Sequence, residues 1–153
     1  MASTQHGPDA NASVVVARDD SGNVAILSAP FPQYGGEYVF LPGGRQEPGE
    51  NAEECARREL AEEAGVSAES WRHLGTYAVS LNGPAQLSLY LAEDLTVGEQ
   101  QLTDTEVDFK LAWWPMDDAI QAADEGRYLL PGGPLALLLA DRAIRQRQAE
   151  LKE

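Results

Sequence analysis

Residues 43–66 read GGRQEPGENAEECARRELAEEAGV, and they force glutamates onto the inner face of a helix. Asn51 with Glu54 three positions later has the form of a capping box, Pro48-Gly49 lies in the loop just before it, and Gly65 supplies a left-handed stop. These signals predict a helix over 52–64. At about 100° per residue, Ala52, Cys55, Ala56, Glu59 and Glu63 share one stripe, with Glu62 on its flank, while Glu53, Arg57 and Ala61 look the other way. The stripe is otherwise small and apolar, so it faces inward. Burying a carboxylate costs several kcal/mol unless a cation neutralises it, and no lysine or arginine occupies that stripe. A metal ion is the natural partner. Glu59 and Glu63 at i, i+4, with Glu62 adjacent, can offer several oxygens to one hard divalent ion, and oxygen-only ligation favours Mg²⁺ or Mn²⁺ over Zn²⁺. The competing reading is a solvated acidic face, the usual fate of a charge run.

The remaining composition narrows the class. A chain of 153 residues is long enough for one sizeable core, so a single domain over 12–150 is expected, preceded by a small, polar, flexible tail over 1–11. Eleven basic against 25 acidic residues give a net charge of −14, which repels nucleic-acid phosphates and anionic lipid. Neither nucleic acid nor a membrane is expected as a partner. An anionic small substrate would be repelled as well, unless part of the acid holds a cation. Cys55 is the only cysteine, which excludes an intrachain disulfide and a cysteine-based zinc cluster. Only His6 and His73 could add imidazole, and neither is given a role. The longest apolar stretch, Leu135 to Ala140, is far short of the ~20 residues that span a bilayer, and no secretory leader is evident, so the cytoplasm is the expected compartment.

Along the chain, SVVVAR (13–18) and NVAILS (23–28) flank the turn formers Asp19-Asp20-Ser21-Gly22 and read as a β-hairpin. Further strands are expected over 38–41, 71–80, 86–91 and 109–114, with a polar, acidic connection over 93–108. Short and long helices are expected over 116–125 and 135–148. Strands interleaved with three helices imply an α/β layered architecture with a mixed sheet.

The spacing within 43–66 is more specific than the helix itself. It fits G-x5-E-x7-R-E-U-x-E-E-x-G-U, where U is an apolar residue, with Gly44, Glu50, Arg58, Glu59, Leu60, Glu62, Glu63, Gly65 and Val66 filling every defined place. At residue frequencies of about 6–7%, a chance match to the seven fixed positions is on the order of one in ten million. This pattern resembles the signature box of the Nudix hydrolase family. The resemblance implies a Nudix-type α/β/α sandwich with a mixed central β-sheet, and Mg²⁺- or Mn²⁺-dependent hydrolysis of a nucleoside diphosphate linked to another group. It implies that Glu59 and Glu63 ligate the metal, with Glu62 ligating or acting through water, and that the Gly43 carbonyl is a further ligand. Arg58 then orients the glutamates, and its i, i+4 relation to Glu62 allows a supporting salt bridge. Glu50 is expected to support the site from the loop, and Gly44 to permit the turn that brings the loop backbone to the metal. The general base is expected from Glu62 or from a later loop.

Beyond the box, the acidic loop LTDTEVDF (102–109), an apolar strand ending in Pro115, a short acidic-headed helix and a final LALLLA helix look like the ADP-ribose and nucleoside-diphosphate-sugar pyrophosphatase branch. In that branch a late-loop glutamate serves as base or further ligand, and Glu106 is the nearest match. Rival readings are clean-up of a nucleoside triphosphate such as an oxidised dGTP, and a Nudix-fold domain that senses a nucleotide without cleaving it. The implied partner is a small phosphorylated nucleotide, and a homodimer stays open. Phe31, Tyr34 and Phe40 are candidates to hold a nucleobase, one of Trp113 and Trp114 is expected to pack in the core, and Cys55 is read as a small buried hydrophobe.

Overall fold

The computed structural model describes residues 11–152. Its strands are β1 (Ala12–Ala17), β2 (Asn23–Phe31), β3 (Gly36–Phe40), β4 (Gly43–Arg45), β5 (Val66–Ala78), β6 (Gln86–Val97) and β7 (Lys110–Pro115). The helices are α1 (Ala52–Ala64), α2 (Met116–Asp124) and α3 (Gly132–Leu151). Two sheets form, a mixed one in the order β4-β1-β6-β5 and an antiparallel one in the order β3-β2-β7. Mixing comes from β1, which runs parallel to β6 and antiparallel to β4.

Alternation along β1 explains the layers. Val15 and Ala17 pack with Ala56, Leu60 and Ala64 of α1, while Val16 packs with Leu137, Ala140 and Ile144 of α3. Side chains two apart share a face, so a strand with no polar residue over 14–17 has to be covered on both sides. The result is the α/β/α sandwich that the resemblance implied, with α1 on one face and α2 and α3 on the other. None of the described helices is long and apolar enough to cross a membrane. The expected tail over 1–11 lies outside the described residues apart from Asn11, whose carbonyl accepts from Gln46 N–H and whose side chain accepts from Gln86 N–H.

Two local expectations need correction. The runs at 13–18 and 23–28 do not form a hairpin: β1 and β2 lie in different sheets and share one bridge, Arg18 to Val24. Both edges of β1 are already occupied by β4 and β6, so β2 has no edge to join. The turn itself is as read, with Asp19 Oδ1 accepting from Ser21 and Asn23 N–H. The second correction concerns β5 and β6, which begin and end further out than their apolar runs. Val66 pairs with Val97 and Ser70 with Glu93, so backbone pairing carries the hairpin through a stretch whose side chains read as polar loop.

Glu93, on that extension, fastens β6 to the elements around it. Its carboxylate accepts from Arg18 Nη1 at 3.1 Å and from Arg147 Nη1 and Nη2 of α3 at 2.7 and 3.0 Å. Arg147, then Arg18, holds this carboxyl below the usual carboxylate range, against the opposing effect of burial. A depressed folded-state value means that the stabilisation is present at neutral pH and is lost as pH falls through it. Glu93→Gln is therefore expected to lower the melting temperature by about 3–6 °C at pH 7. Melting curves of the two proteins should converge as the pH is taken below ~4.

Candidate metal and catalytic site

Helix α1 is capped as its sequence requires. Asn51 Oδ1 accepts from Glu54 N–H, Glu54 Oε1 accepts from Asn51 N–H, and Gly65 closes the helix at φ 69°. The inward stripe carries Cys55, Ala56, Glu59, Leu60, Glu63 and Ala64, all buried, with Glu59 at 8% and Glu63 at 4% exposure. Small residues let the helix approach the β4–β1 edge closely, and there both glutamates lie against the backbone of β4. Glu63 Oε1 accepts from Gly43 N–H at 2.9 Å. A Cβ on Gly44 would stand 2.5 Å from Glu59 Oε1. Gly44 is thus not needed for a left-handed turn, since it sits in β4 with no positive φ; its missing side chain makes room for the Glu59 carboxylate.

Arg58 ties this helix to the loop before it. Its Nε and Nη2 donate to the two oxygens of Glu50 at 2.8 and 3.0 Å, Nη2 also reaches Arg45 O at 3.0 Å, and Nη1 forks to Glu59 Oε1 and Glu62 Oε2 at 2.9 and 3.0 Å. The bidentate bond to Arg58 holds Glu50 below the ordinary carboxylate range. The stripe carries no arginine, as read, but Arg58 reaches Glu59 from its flank. Glu63 has no such partner among the described residues.

A third carboxylate enters from the far side. Glu106 lies in a short 3-10 turn, Asp104–Glu106, where Oε1 accepts from Thr103 N–H at 3.1 Å. One oxygen from each of Glu59, Glu63 and Glu106 falls within a mutual 4.8 Å. Glu62 is outside this group, turned to Arg58, and more exposed. The two buried carboxyls resist ionising together. Burial first, and then the neighbouring carboxylates Glu59 and Glu106, push the Glu63 carboxyl up to about 9 against the Gly43 hydrogen bond. Burial likewise pushes Glu59 up to about 7, with Arg58 opposing. Three convergent carboxylate oxygens, two of them on buried glutamates, fit a hard divalent cation.

Other sequence candidates fall into place around the cluster. Cys55 is buried with its Sγ on Gly44 O at 3.3 Å, and burial pushes its thiol up to about 11, which suits a packing residue. Phe31, Phe40 and Phe109 form an edge-to-face row with centroids 5.7 and 4.8 Å apart, whereas Tyr34 is exposed. Trp113 and Trp114 face opposite layers, Trp113 packing on the α1 side and Trp114 on the α3 side. His73 is exposed and bonds Thr76. Sequence reading missed an apolar cleft of about 310 Å³, lined by Phe40, Leu41 and Leu87, by the start of α3 at Pro131–Gly133, and by Gly43 and Gly44, which also lie against Glu63 and Glu59. Its only signal was the turn PGGP, which reads as a connection.

The NUDIX domain model matches residues 7–131, and the chain belongs to that family. It is 30% identical to an ADP-ribose pyrophosphatase of Mycobacterium tuberculosis over 75% of this chain and 57% of that protein. It is 32% identical to a CMP-5'-(N-acetyl-N-hydroxy-3-aminopropyl)phosphonate hydrolase of Streptomyces rubellomurinus, over 83% and 62% of the two chains. It is also 32% identical to the NAD-capped RNA hydrolase NudC of Chromobacterium violaceum, over 78% and 40%. The chain thus spans between 40% and 62% of the length of these relatives. Among solved structures, a crystal structure of an ADP compounds hydrolase superposes with a TM-score of 0.78 at 20% identity, covering 90% of this chain and 74% of that one, which is a likeness of fold.

If the three carboxylates take a cation, Mn²⁺ or Mg²⁺ should stabilise the fold by mass action. At about 100 times the dissociation constant the gain is about 2.7 kcal/mol, or a rise in melting temperature of about 5–10 °C. Glu63→Gln should remove most of that rise, which a thermal-shift titration reads directly.

Proposed function

We propose that this chain is a divalent-metal-dependent pyrophosphohydrolase acting on a nucleoside diphosphate linked to another group, with ADP-ribose or a nucleotide sugar as the first substrate class. The observation that carries the reading is the convergence of Glu59, Glu63 and Glu106 within 4.8 Å. Glu59 and Glu63 would hold Mg²⁺ or Mn²⁺ with the Gly43 carbonyl, and Glu106 faces them as the third carboxylate. When bound, the metal would cancel phosphate charge, lower the pKa of a bound water and stabilise the departing phosphate. The protein supplies the rest. Arg58 fixes Glu59 and Glu62 while Glu50 fixes Arg58, so the carboxylates are held before substrate arrives. The proton of the attacking water passes to Glu62, whose second oxygen is not engaged by Arg58, or to Glu106. The cleft would take the uncharged part of the substrate against Phe40, Leu41 and Leu87.

Similarity to an ADP-ribose pyrophosphatase supports this choice of substrate. A net charge of −14 supports a small nucleotide over a nucleic acid, and a lone buried thiol suits a reducing compartment such as the cytoplasm.

A substrate panel with Mg²⁺ and Mn²⁺ tests the proposal. ADP-ribose should yield AMP and ribose 5-phosphate. Release of pyrophosphate from a nucleoside triphosphate at higher kcat/KM would favour triphosphate clean-up instead, and binding with no turnover of any panel member would mark a sensor. Glu63→Gln is expected to lower kcat by about 10²-fold or more while the circular-dichroism spectrum stays unchanged. Glu62→Gln and Glu106→Gln should differ in their pH–rate profiles, and the one that loses its acidic limb identifies the base.

A further inference from the structure

The loop that carries Glu106 is docked on the end of the helix that carries Glu59 and Glu63. The last carbonyls of a helix have no partners within it, and α1 meets this need from segment 98–101. Gly98 N–H donates to Gly65 O at 2.6 Å, Gln101 N–H donates to Glu62 O at 2.7 Å, and the Gln100 side-chain amide donates from Nε2 to Glu63 O at 2.8 Å. The same Nε2 reaches Phe109 O at 3.4 Å, so Gln100 bridges the helix end and the far end of the loop. Gly65 makes the approach feasible: a Cβ there would stand 2.4 Å from the Glu99 carbonyl group. Within the bridged span, Glu106 is oriented by the Thr103 N–H, and Phe109 N–H donates to Glu106 O.

We infer that Gln100 is a positioning residue that sets Glu106 against Glu59 and Glu63, by bonding the backbone of Glu63 and of Phe109 at once. Two of these three contacts from the segment are main chain and would survive any substitution. Among the described residues Gln100 is the one side chain of segment 98–101 that hydrogen-bonds the helix end, and it is part of neither the cleft lining nor the carboxylate cluster. The inference rests on the proposed role of Glu106, and it has a consequence of its own: loss of Gln100 should act only through Glu106.

A double-mutant cycle tests it. Wild type, Gln100→Met, Glu106→Gln and the double variant are compared in ADP-ribose hydrolysis and in Mn²⁺ binding followed by electron paramagnetic resonance of free Mn²⁺. Methionine keeps the volume and removes the amide. Gln100→Met is expected to lower kcat by about 10–100-fold with KM within about twofold, and to weaken Mn²⁺ by about tenfold. In the Glu106→Gln background the same change should do almost nothing. Gln100→Glu is the second variant, in case methionine destabilises the loop. It keeps the length but turns the donor into an acceptor, and its added negative charge alone would tighten Mn²⁺, so weaker binding reports position. Near-wild-type behaviour of both Gln100 variants overturns the inference, and so do losses that multiply with those of Glu106→Gln. Wild type without ADP-ribose turnover would instead count against the proposed substrate, and the Mn²⁺ cycle would then decide the role of Gln100 by itself.

Discussion

Two carboxylates on the buried face of one helix set the terms for everything near them. Glu59 and Glu63 lie between α1 and the sheet at 8% and 4% exposure, where a charge is costly and a second like charge costlier. Among the described residues each receives a single compensating donor, Arg58 for Glu59 and Gly43 N–H for Glu63. The compensation is incomplete, and burial holds both carboxyls above the ordinary carboxylate range. Burial and mutual repulsion are therefore a source of local instability, and on the proposed reading they are the compromise expected where a protein holds a hard metal.

Accommodating those carboxylates explains the peculiar backbone opposite them. Gly43 and Gly44 have no room for a side chain, Gly43 because of β1 and Gly44 because of Glu59 itself. Loop 45–50 then has to return to the helix, and Arg58 draws it there through Glu50 and Arg45 O. One guanidinium thus organises the loop, a buried carboxylate and a flanking one together, with a fork geometry that lysine could not reproduce. On the proposed reading, the same arrangement resolves the charge of −14: acid concentrated on one helix binds cations, and cations admit a phosphorylated substrate to an otherwise repelling surface.

Much of this was legible in the sequence because it is local. Helix α1 begins and ends where its capping box and Gly65 say, the glutamates face inward by helical period, and Arg58 meets Glu62 one turn away. Contacts that depend on chain separated in sequence were read less well. Strands β1 and β2 looked like a hairpin, yet both edges of β1 were taken by distant partners. The β5–β6 ladder runs into residues that looked like polar loop, since main-chain pairing is indifferent to the polarity of an outward side chain. Glu106 was reached only through resemblance, as no spacing rule relates a loop residue to a helix 43 positions earlier, counted from Glu106 to Glu63.

The sequence by itself determined one helix with its caps, the inward set of two glutamates, the i, i+4 pairing of Arg58 with Glu62 and the small residues that let the glutamates approach the sheet. Helical period and i, i+4 geometry act over a few residues, so those features follow from local order alone. Only the tertiary structure decided that β1 sits centrally between β4 and β6, that Glu106 closes on Glu59 and Glu63, that Gln100 bridges Glu63 and Phe109, and that Phe40 and Pro131–Gly133 share a cleft with Gly43. Each of these joins segments far apart in the chain through packing and backbone hydrogen bonding, and such pairings depend on which edges and faces the rest of the fold leaves open.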